Sequence, residues 1–385
     1  MTAQALTRED APRMATWKAL LLTLPIIPVA ASPVMSALSS GDLLAIIPGF
    51  AISILLIVVF FRMLVTGRTH RYRSALFISL AIAVPLHLIP QLFELYGTNM
   101  LTPEMTYAAK ARFCPMTVGA VLLPAVLKGV VVFPGVIAEG VVWFFMWIGA
   151  SLVIGRGWCS WGCVFGGWDE FFSRLRKKPV IKHVDRKWRF LPFAILLAIV
   201  LLSAITFHPI YCEWLCPFKV VSEFEAPTSL ATTIALVIFP LTFLGLVVAL
   251  PLLTKKRIQC ALWCPFGALQ SFFNKINIFE LRIDLDKCSQ CKRCLRECPT
   301  FSLDEGSLVS GKALMSCTRC GQCVDACPKG AMSYHIKGTR ISVSPNTARL
   351  LFLYPAYILF CGFGAVVVSD AVWRVLRLIT TGSMI

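Results

Sequence analysis

The chain has 385 residues, of which 57% are hydrophobic and only 15% charged, with a formal net charge of +17. A water-soluble protein carries about a quarter charged residues, and several apolar runs here reach the ~20 residues that cross a bilayer as a helix, so an ordinary soluble globule is excluded. The charge does not point to nucleic acid, because the basic residues sit in short loops between apolar segments, as the positive-inside bias of membrane proteins dictates.

The first fourteen residues carry Arg8, Glu9, Asp10 and Arg13, and the apolar run after them has no clear small-residue cleavage site. That run reads as a retained first helix, not a signal peptide. Seven spans are expected, at 17–37, 43–64, 74–94, 138–156, 189–208, 230–253 and 349–369. The apolar stretch 118–137 is interrupted by Pro124, Lys128 and Pro134 and reads as an eighth span, a re-entrant segment or an interfacial helix. Arg68, Arg71 and Arg73, the basic run from Arg174 to Lys187, and Lys255, Lys256 and Arg257 mark three loops on the cytoplasmic side. The segments 38–42, 95–117 and 209–229 carry few basic residues and are expected outside.

Sixteen cysteines suggest a disulfide scaffold until their spacing is read. Eight fall in two C-x2-C-x2-C-x3-C-P runs, Cys288, Cys291, Cys294 and Cys298, then Cys317, Cys320, Cys323 and Cys327. This spacing ligates iron–sulfur cubanes, with the fourth cysteine of each run serving the other cluster. One [4Fe–4S] cluster is therefore expected on Cys288, Cys291, Cys294 and Cys327, and a second on Cys317, Cys320, Cys323 and Cys298. Zinc would call for two C-x2-C pairs with a longer gap and no following proline. Thiolate clusters need a reducing compartment, which puts this segment on the cytoplasmic face. The fold expected is mainly α: a polytopic transmembrane helical bundle of about seven spans with an inserted two-cluster, ferredoxin-like α+β domain. Its parts are 1–253, the membrane bundle; 254–346, the ferredoxin-like domain; and 347–385, a last transmembrane helix and tail.

A second pattern, C-x3-C, occurs three times, each after an apolar span: Cys159/Cys163, Cys212/Cys216 and Cys260/Cys264. On a helix, residues i and i+4 share a face, so each pair can aim both sulfurs at one target. Cys159, Cys163, Cys260 and Cys264 are expected at the cytoplasmic ends of spans four and six, where they would hold a third metal centre or pack as buried thiols. Cys114, Cys212 and Cys216, with His208, fall on the outer side and would serve a further centre or form a disulfide there. Intramembrane ionisable groups are functional candidates. His87 and His208 would bind haem or be satisfied by neighbouring backbone, and Glu94 would accept a quinol proton. Cys361 and His335 read as a packing residue and a surface residue.

The order of these motifs, GRGWCSWGC after a span, a basic loop with DRKWRF, QCALWCPFGAL after another span and then two cluster runs, resembles the NapH/NosR/CcoG-type membrane polyferredoxins, most of all the NapH- and MauN-like members, over about 140–335. The family's C-x3-C-P positions correspond to Cys159/Cys163 and Cys260/Cys264. Val164 replaces the proline after the first pair, Cys114 and Cys212/Cys216 fall outside the pattern, and a helix follows the cluster segment. The resemblance implies a multi-pass protein of a bacterial inner membrane. It would pass electrons between a quinone pool or cytoplasmic donor and redox partner proteins, as a component of a quinol dehydrogenase. The rival it implies is a maturation factor that reduces a metal or disulfide of another enzyme. A redox sensor would need a signalling domain, and none is visible.

Overall fold

The computed structural model describes residues 14–97, 100–101, 138–206, 210–222, 224–338 and 345–385. Cys114, His208 and the stretch 118–137 lie outside the described residues.

The first helices begin and end where local chemistry directs. Helix α1 (Thr16–Ser40) stops at Gly41, whose φ of +71° suits glycine. Helix α2 (Leu43–Thr66) starts at Asp42, whose carboxylate accepts the Leu44 N–H at 2.8 Å, and stops at Gly67. Helix α3 (Thr69–Tyr96) follows at once. It begins earlier than the expected third span, because Arg73 is not in a solvated loop but inside the helix, 1% exposed. Then come α4 (Ala138–Ile154), α5 (Val164–Leu175), α6 (Leu191–Thr206), α7 (Leu230–Thr254) and α8 (Pro265–Ile276). Three short helices, α9 (Arg293–Glu297), α10 (Glu305–Ser310) and α11 (Gln322–Ala326), precede the C-terminal α12 (Asn346–Thr381).

Among the described residues, five helices, α1, α2, α3, α7 and α12, are long and apolar enough to cross a membrane. The expected fourth and fifth spans are helices of 17 and 16 described residues. Both adjoin residues outside the described ones, α4 at its start and α6 at its end. The C-terminal helix runs on to Thr381, beyond the expected 369. Its charged turn is tolerated because Arg374 Nε donates to Asp370 Oδ2 at 2.8 Å, one turn away.

Helix α5 lies antiparallel on α3. Gly167 abuts Phe77 and Ala81, while Arg174 reaches back to His70. A Cβ at Gly167 would stand 2.5 Å from the Phe77 carbonyl, so only glycine permits this approach. The start of α5 is thus level with the interior of α3, and its end with the beginning of α3.

Both cluster runs lie between two strands. Besides a two-residue parallel pair, β1 (Met100–Leu101) with β2 (Phe224–Glu225), the chain pairs β3 (Phe279–Ile283) antiparallel with β4 (Met332–Ile336). Phe279, Leu281 and Ile283 point inward with Met332 and Tyr334, the alternation expected of a half-buried strand. Tyr334 stacks on Phe352 of α12 with ring centres 4.7 Å apart, and Phe279 meets the same ring edge-on at 5.5 Å. The second cluster run is tied to the helices by buried Arg319, which donates to Ile154 O and Asn274 Oδ1 at 2.6 Å, Asn277 Oδ1 at 3.0 Å and Phe279 O at 2.6 Å.

Gly155 makes this joint possible: its φ is +56°, and an added Cβ would lie 2.5 Å from Arg319 Nη1. Gly155→Ala is expected to cost about 2 kcal/mol or more, seen as a lowered thermal unfolding midpoint of the detergent-solubilised protein.

Candidate functional site

The two cluster runs share one backbone form. The residues on either side of each second cysteine are left-handed: Gln290 (φ 51°) and Lys292 (φ 55°) in the first run, Arg319 (φ 51°) and Gly321 (φ 79°) in the second. Alternating handedness turns successive N–H groups toward one side, which makes a nest for an anionic group. Each run closes in a short helix, α9 or α11, and its last cysteine leaves that helix extended: Cys298 at φ −62°, ψ 117° and Cys327 at φ −74°, ψ 116°. The proline that follows each of them disfavours helix at that residue, so the sulfur is carried across to the other run.

The result is two thiol groups, each drawn from both runs. Cys288, Cys291, Cys294 and Cys327 line one cleft of about 360 Å³, partly open to solvent. Cys320, Cys317 and Cys298 are electrostatic neighbours of Cys323, with Cys294 of the first group next to them. The Ser302 N–H donates to Cys298 Sγ at 3.3 Å. Burial pushes the Cys294 and Cys317 thiols up to about 11 and raises Cys320 and Cys323 as well. Among the described residues, no three His, Cys, Asp or Glu side chains gather closely enough to hold one metal ion. Four thiols drawn from both runs around one cleft fit a multi-iron cluster.

The C-x3-C pairs repeat the closing turn of the cluster runs. Cys159 lies in a helical turn (Trp158–Trp161) and Cys260 in a π-turn (Gln259–Trp263). Cys163 and Cys264 are extended, at φ −77°, ψ 109° and φ −72°, ψ 112°, and begin α5 and α8. Cys216 has the same form, φ −81°, ψ 108°. Val164 therefore supports the conformation that proline enforces in the other turns.

The first and third pairs interlock reciprocally. Arg156, three residues before Cys159, donates Nη2 to Cys260 O at 2.9 Å. Arg257, three residues before Cys260, donates Nη2 to Cys159 O at 2.7 Å and to Cys260 Sγ at 3.3 Å. Each guanidinium needs a glycine opposite: a Cβ at Gly166 would lie 2.4 Å from Arg257 Nη2, and one at Gly267 2.7 Å from Arg156 Nη2. The unit is thus R-x2-C-x3-C-x2-G, written twice. The sequence reading missed the arginines and glycines, which aligning the two segments on their cysteines would have exposed. The interlock makes the four thiols neighbours, with Cys163 coupled to Cys159 and Cys264, and Cys260 to Cys163 and Cys264. They follow the ends of α4 and α7, and α5 and α8 begin beside them.

The middle motif packs beside the other two. Leu215 O accepts from Trp263 Nε1 at 3.2 Å, and Phe218 stacks on Phe165 at 4.4 Å. The Cys212 side chain lies outside the described residues, as do Cys114 and His208. Cys361 is fully buried in α12, where its carbonyl accepts from Ser32 Oγ at 2.7 Å. His87 pairs through Nδ1 with Asp370 at 2.6 Å, and Glu94 accepts from Arg374 at 3.0 Å.

The cluster segment is docked onto the pairs. Lys256 Nζ donates to Cys298 O at 2.8 Å, the Arg257 N–H to Pro299 O at 2.8 Å, the His70 N–H to Asp325 at 3.0 Å and Asn274 Nδ2 to Cys317 O at 2.8 Å.

Comparison with known proteins matches these two halves separately. Residues 280–328 match the 4Fe-4S dicluster domain family. The 4Fe-4S binding domain family matches three times, at 136–182, 188–226 and 236–283, one C-x3-C pair in each. The middle pair, which fell outside the expected pattern, thus belongs to the same repeat. Over 188 residues the chain is 25% identical to the ferredoxin-type protein NapH of Haemophilus influenzae, 44% of this chain and 62% of that protein. Over 179 residues it is 25% identical to the putative electron transport protein YccM of Escherichia coli, 43% of this chain and 48% of that one. An uncharacterized protein of Methanocaldococcus jannaschii is 27% identical over 198 residues, 48% of this chain and 66% of that one. The chain is a relative of the NapH-type polyferredoxins. It spans about half to two thirds of the length of the curated relatives it matches, and no solved structure matches it.

Buried thiols held up to about 11 are protonated at pH 7, so iron can enter only as protons leave. Anaerobic loading of the cluster-stripped protein with iron and sulfide at pH 7 is expected to release about one proton per ligating cysteine beyond those given up by the sulfide itself, read by titration at constant pH against cluster assembly on a small thiolate, already ionised. Loading should also proceed further as the pH is raised toward 9.

Proposed function

We propose that this chain carries electrons along three neighbouring sulfur-ligated centres. Cys288, Cys291, Cys294 and Cys327 would hold the first [4Fe–4S] cluster, and Cys317, Cys320, Cys323 and Cys298 the second. Cys159, Cys163, Cys260 and Cys264 would hold a third centre inside the helical bundle. Bound iron–sulfur clusters supply one-electron storage and release at potentials set by charge, hydrogen bonds to sulfur and burial. The chain's own residues fix the order. The first thiol group is the one open to solvent at Cys291, the second is buried, and the third lies behind it among the helices. The protein supplies nests, N–H···S contacts and a dry surround.

The observation that carries this reading is the position of Arg73, which donates to Cys320 O of the second run at 3.1 Å and to Ser160 O inside the first helical pair at 2.7 Å. Two thiol groups that share one buried guanidinium are close enough to exchange electrons. The names of NapH and YccM, a ferredoxin-type and a putative electron transport protein, point the same way. In this reading the cluster segment faces the cytoplasm of a bacterium, on the side of the basic loops. The chain would then link a quinone pool or a cytoplasmic donor to a redox partner protein.

Iron analysis tests it. Two [4Fe–4S] clusters account for about eight irons, so the intact anaerobic protein is expected to hold more than about eight. Cys163→Ser or Cys264→Ser should return the count to about eight while both ferredoxin signals persist. About eight irons in the wild type would leave the helical thiols empty and remove the third centre.

A further inference from the structure

Between the second cluster run and the helical thiols lies a group of buried charges that the electron path does not itself require. Glu170, on α5 and 3% exposed, is its centre. Its Oε1 accepts from Arg73 Nη2 at 2.5 Å and from Arg174 at 3.0 Å, and its Oε2 lies 3.9 Å from Arg257 Nη1. Burial alone would raise this carboxyl, but Arg73, Arg174 and Arg257 hold it below the usual carboxylate range.

The two buried arginines then reach in different directions. Arg73 donates Nε to Cys320 O at 3.1 Å, in the second cluster run, and Nη1 to Ser160 O at 2.7 Å. Arg257 donates Nη1 to Ser160 Oγ at 3.0 Å, and its Nη2 bonds Cys159 O and Cys260 Sγ. Ser160, inside the first C-x3-C pair, is thus gripped from both sides. The other charged or titratable groups here are Asp169, which accepts from the Cys260 N–H at 2.9 Å, and His70, beside Arg73 at 3.2 Å. Burial pushes the Asp169 carboxyl up to about 7, so Glu170 is the firmly ionised counter-charge to the buried Arg73 and Arg257, whereas Arg174 is partly exposed.

We propose that Glu170 is a positioning residue that sets the reduction potential of the second cluster, by holding the two arginines that join its loop to the helical thiols. The proposal rests on cluster binding at Cys317, Cys320, Cys323 and Cys298. A fixed negative charge at this spot opposes the arrival of an electron. Removing it leaves a buried guanidinium uncompensated, which favours reduction. The first cluster, beyond the second and partly open to solvent, is screened from the change.

The test is a potentiometric titration followed by EPR on the intact anaerobic protein, with iron measured in parallel. For Glu170→Gln, which keeps the shape and an acceptor oxygen, one ferredoxin signal is expected to become easier to reduce by tenfold or more in equilibrium constant. That is about 59 mV upward for one electron. The other signal should stay in place. Arg73→Met leaves the opposite imbalance and should move the same signal down. The double variant, neutral again, should bring it back toward the wild-type value.

Where one single variant fails to take up iron, the other is read. A second-cluster potential unmoved in the variant that assembles overturns the proposal, and so does an equal shift of both signals. Wild-type protein without iron would instead sink the cluster reading itself, so the two failures are distinguishable.

Discussion

A guanidinium taken out of water costs several kcal/mol unless carboxylates or carbonyls replace the lost solvation. This protein buries Arg73, Arg156, Arg257 and Arg319 to 3% exposure or less, all at the seam between the cluster segment and the helices. Arg73 and Arg319 are satisfied only because both sides of the seam are in place, whereas Arg156 and Arg257 end on groups of the helical turns. Arg319 comes from a cluster run and ends on carbonyl and amide oxygens of the helical part. Arg73 comes from α3 and ends on a carbonyl of a cluster run. Opening the seam would strand these charges, so the relative placement of the thiol groups is fixed by desolvation more than by contact area. A buried ion pair adds little net stability, but removing one partner is strongly destabilising, and that asymmetry holds the two parts in register.

One local device recurs at every sulfur site. A short helical turn carries the first cysteine, and an extended second cysteine leaves the turn with its sulfur facing another segment. The ferredoxin-type runs use it to exchange Cys298 and Cys327, and the helical pairs use it to start α5 and α8 at Cys163 and Cys264. In the helical pairs the exchange is completed by Arg156 and Arg257, each crossing to the other's cysteine carbonyl. The third copy, at Cys212/Cys216, lacks the arginine and glycine positions, with Pro209 and Lys219 in their place. It packs beside the others through Phe218 and Leu215.

Much of this was legible in the sequence, and the remainder was hidden for physical reasons. Spacing alone located the cluster runs, because thiolate ligation tolerates few spacings. Hydropathy found α1, α2, α3, α7 and α12, because a bilayer demands length and apolarity together. It ended the last helix at 369, short of Thr381, since the charge of Asp370 looks like a boundary until its partner, Arg374, is known. The same bias assigned Arg73 and Arg257 to solvated loops. Positive residues at helix ends usually are solvated, and only tertiary contacts with Glu170 and backbone carbonyls reveal the exceptions. The packing of the middle motif beside the other two was hidden as well, because it depends on tertiary contacts of Phe218 and Leu215.

The central claim is that three sulfur-ligated centres stand close enough to act as one path. EPR of the fully reduced, intact protein at low temperature tests this most directly. Neighbouring paramagnets split and broaden one another, so the account predicts a spin-coupled spectrum that simplifies when the Cys163 ligand is removed. A fully reduced spectrum that is a plain sum of isolated signals, unchanged by that loss, would contradict it.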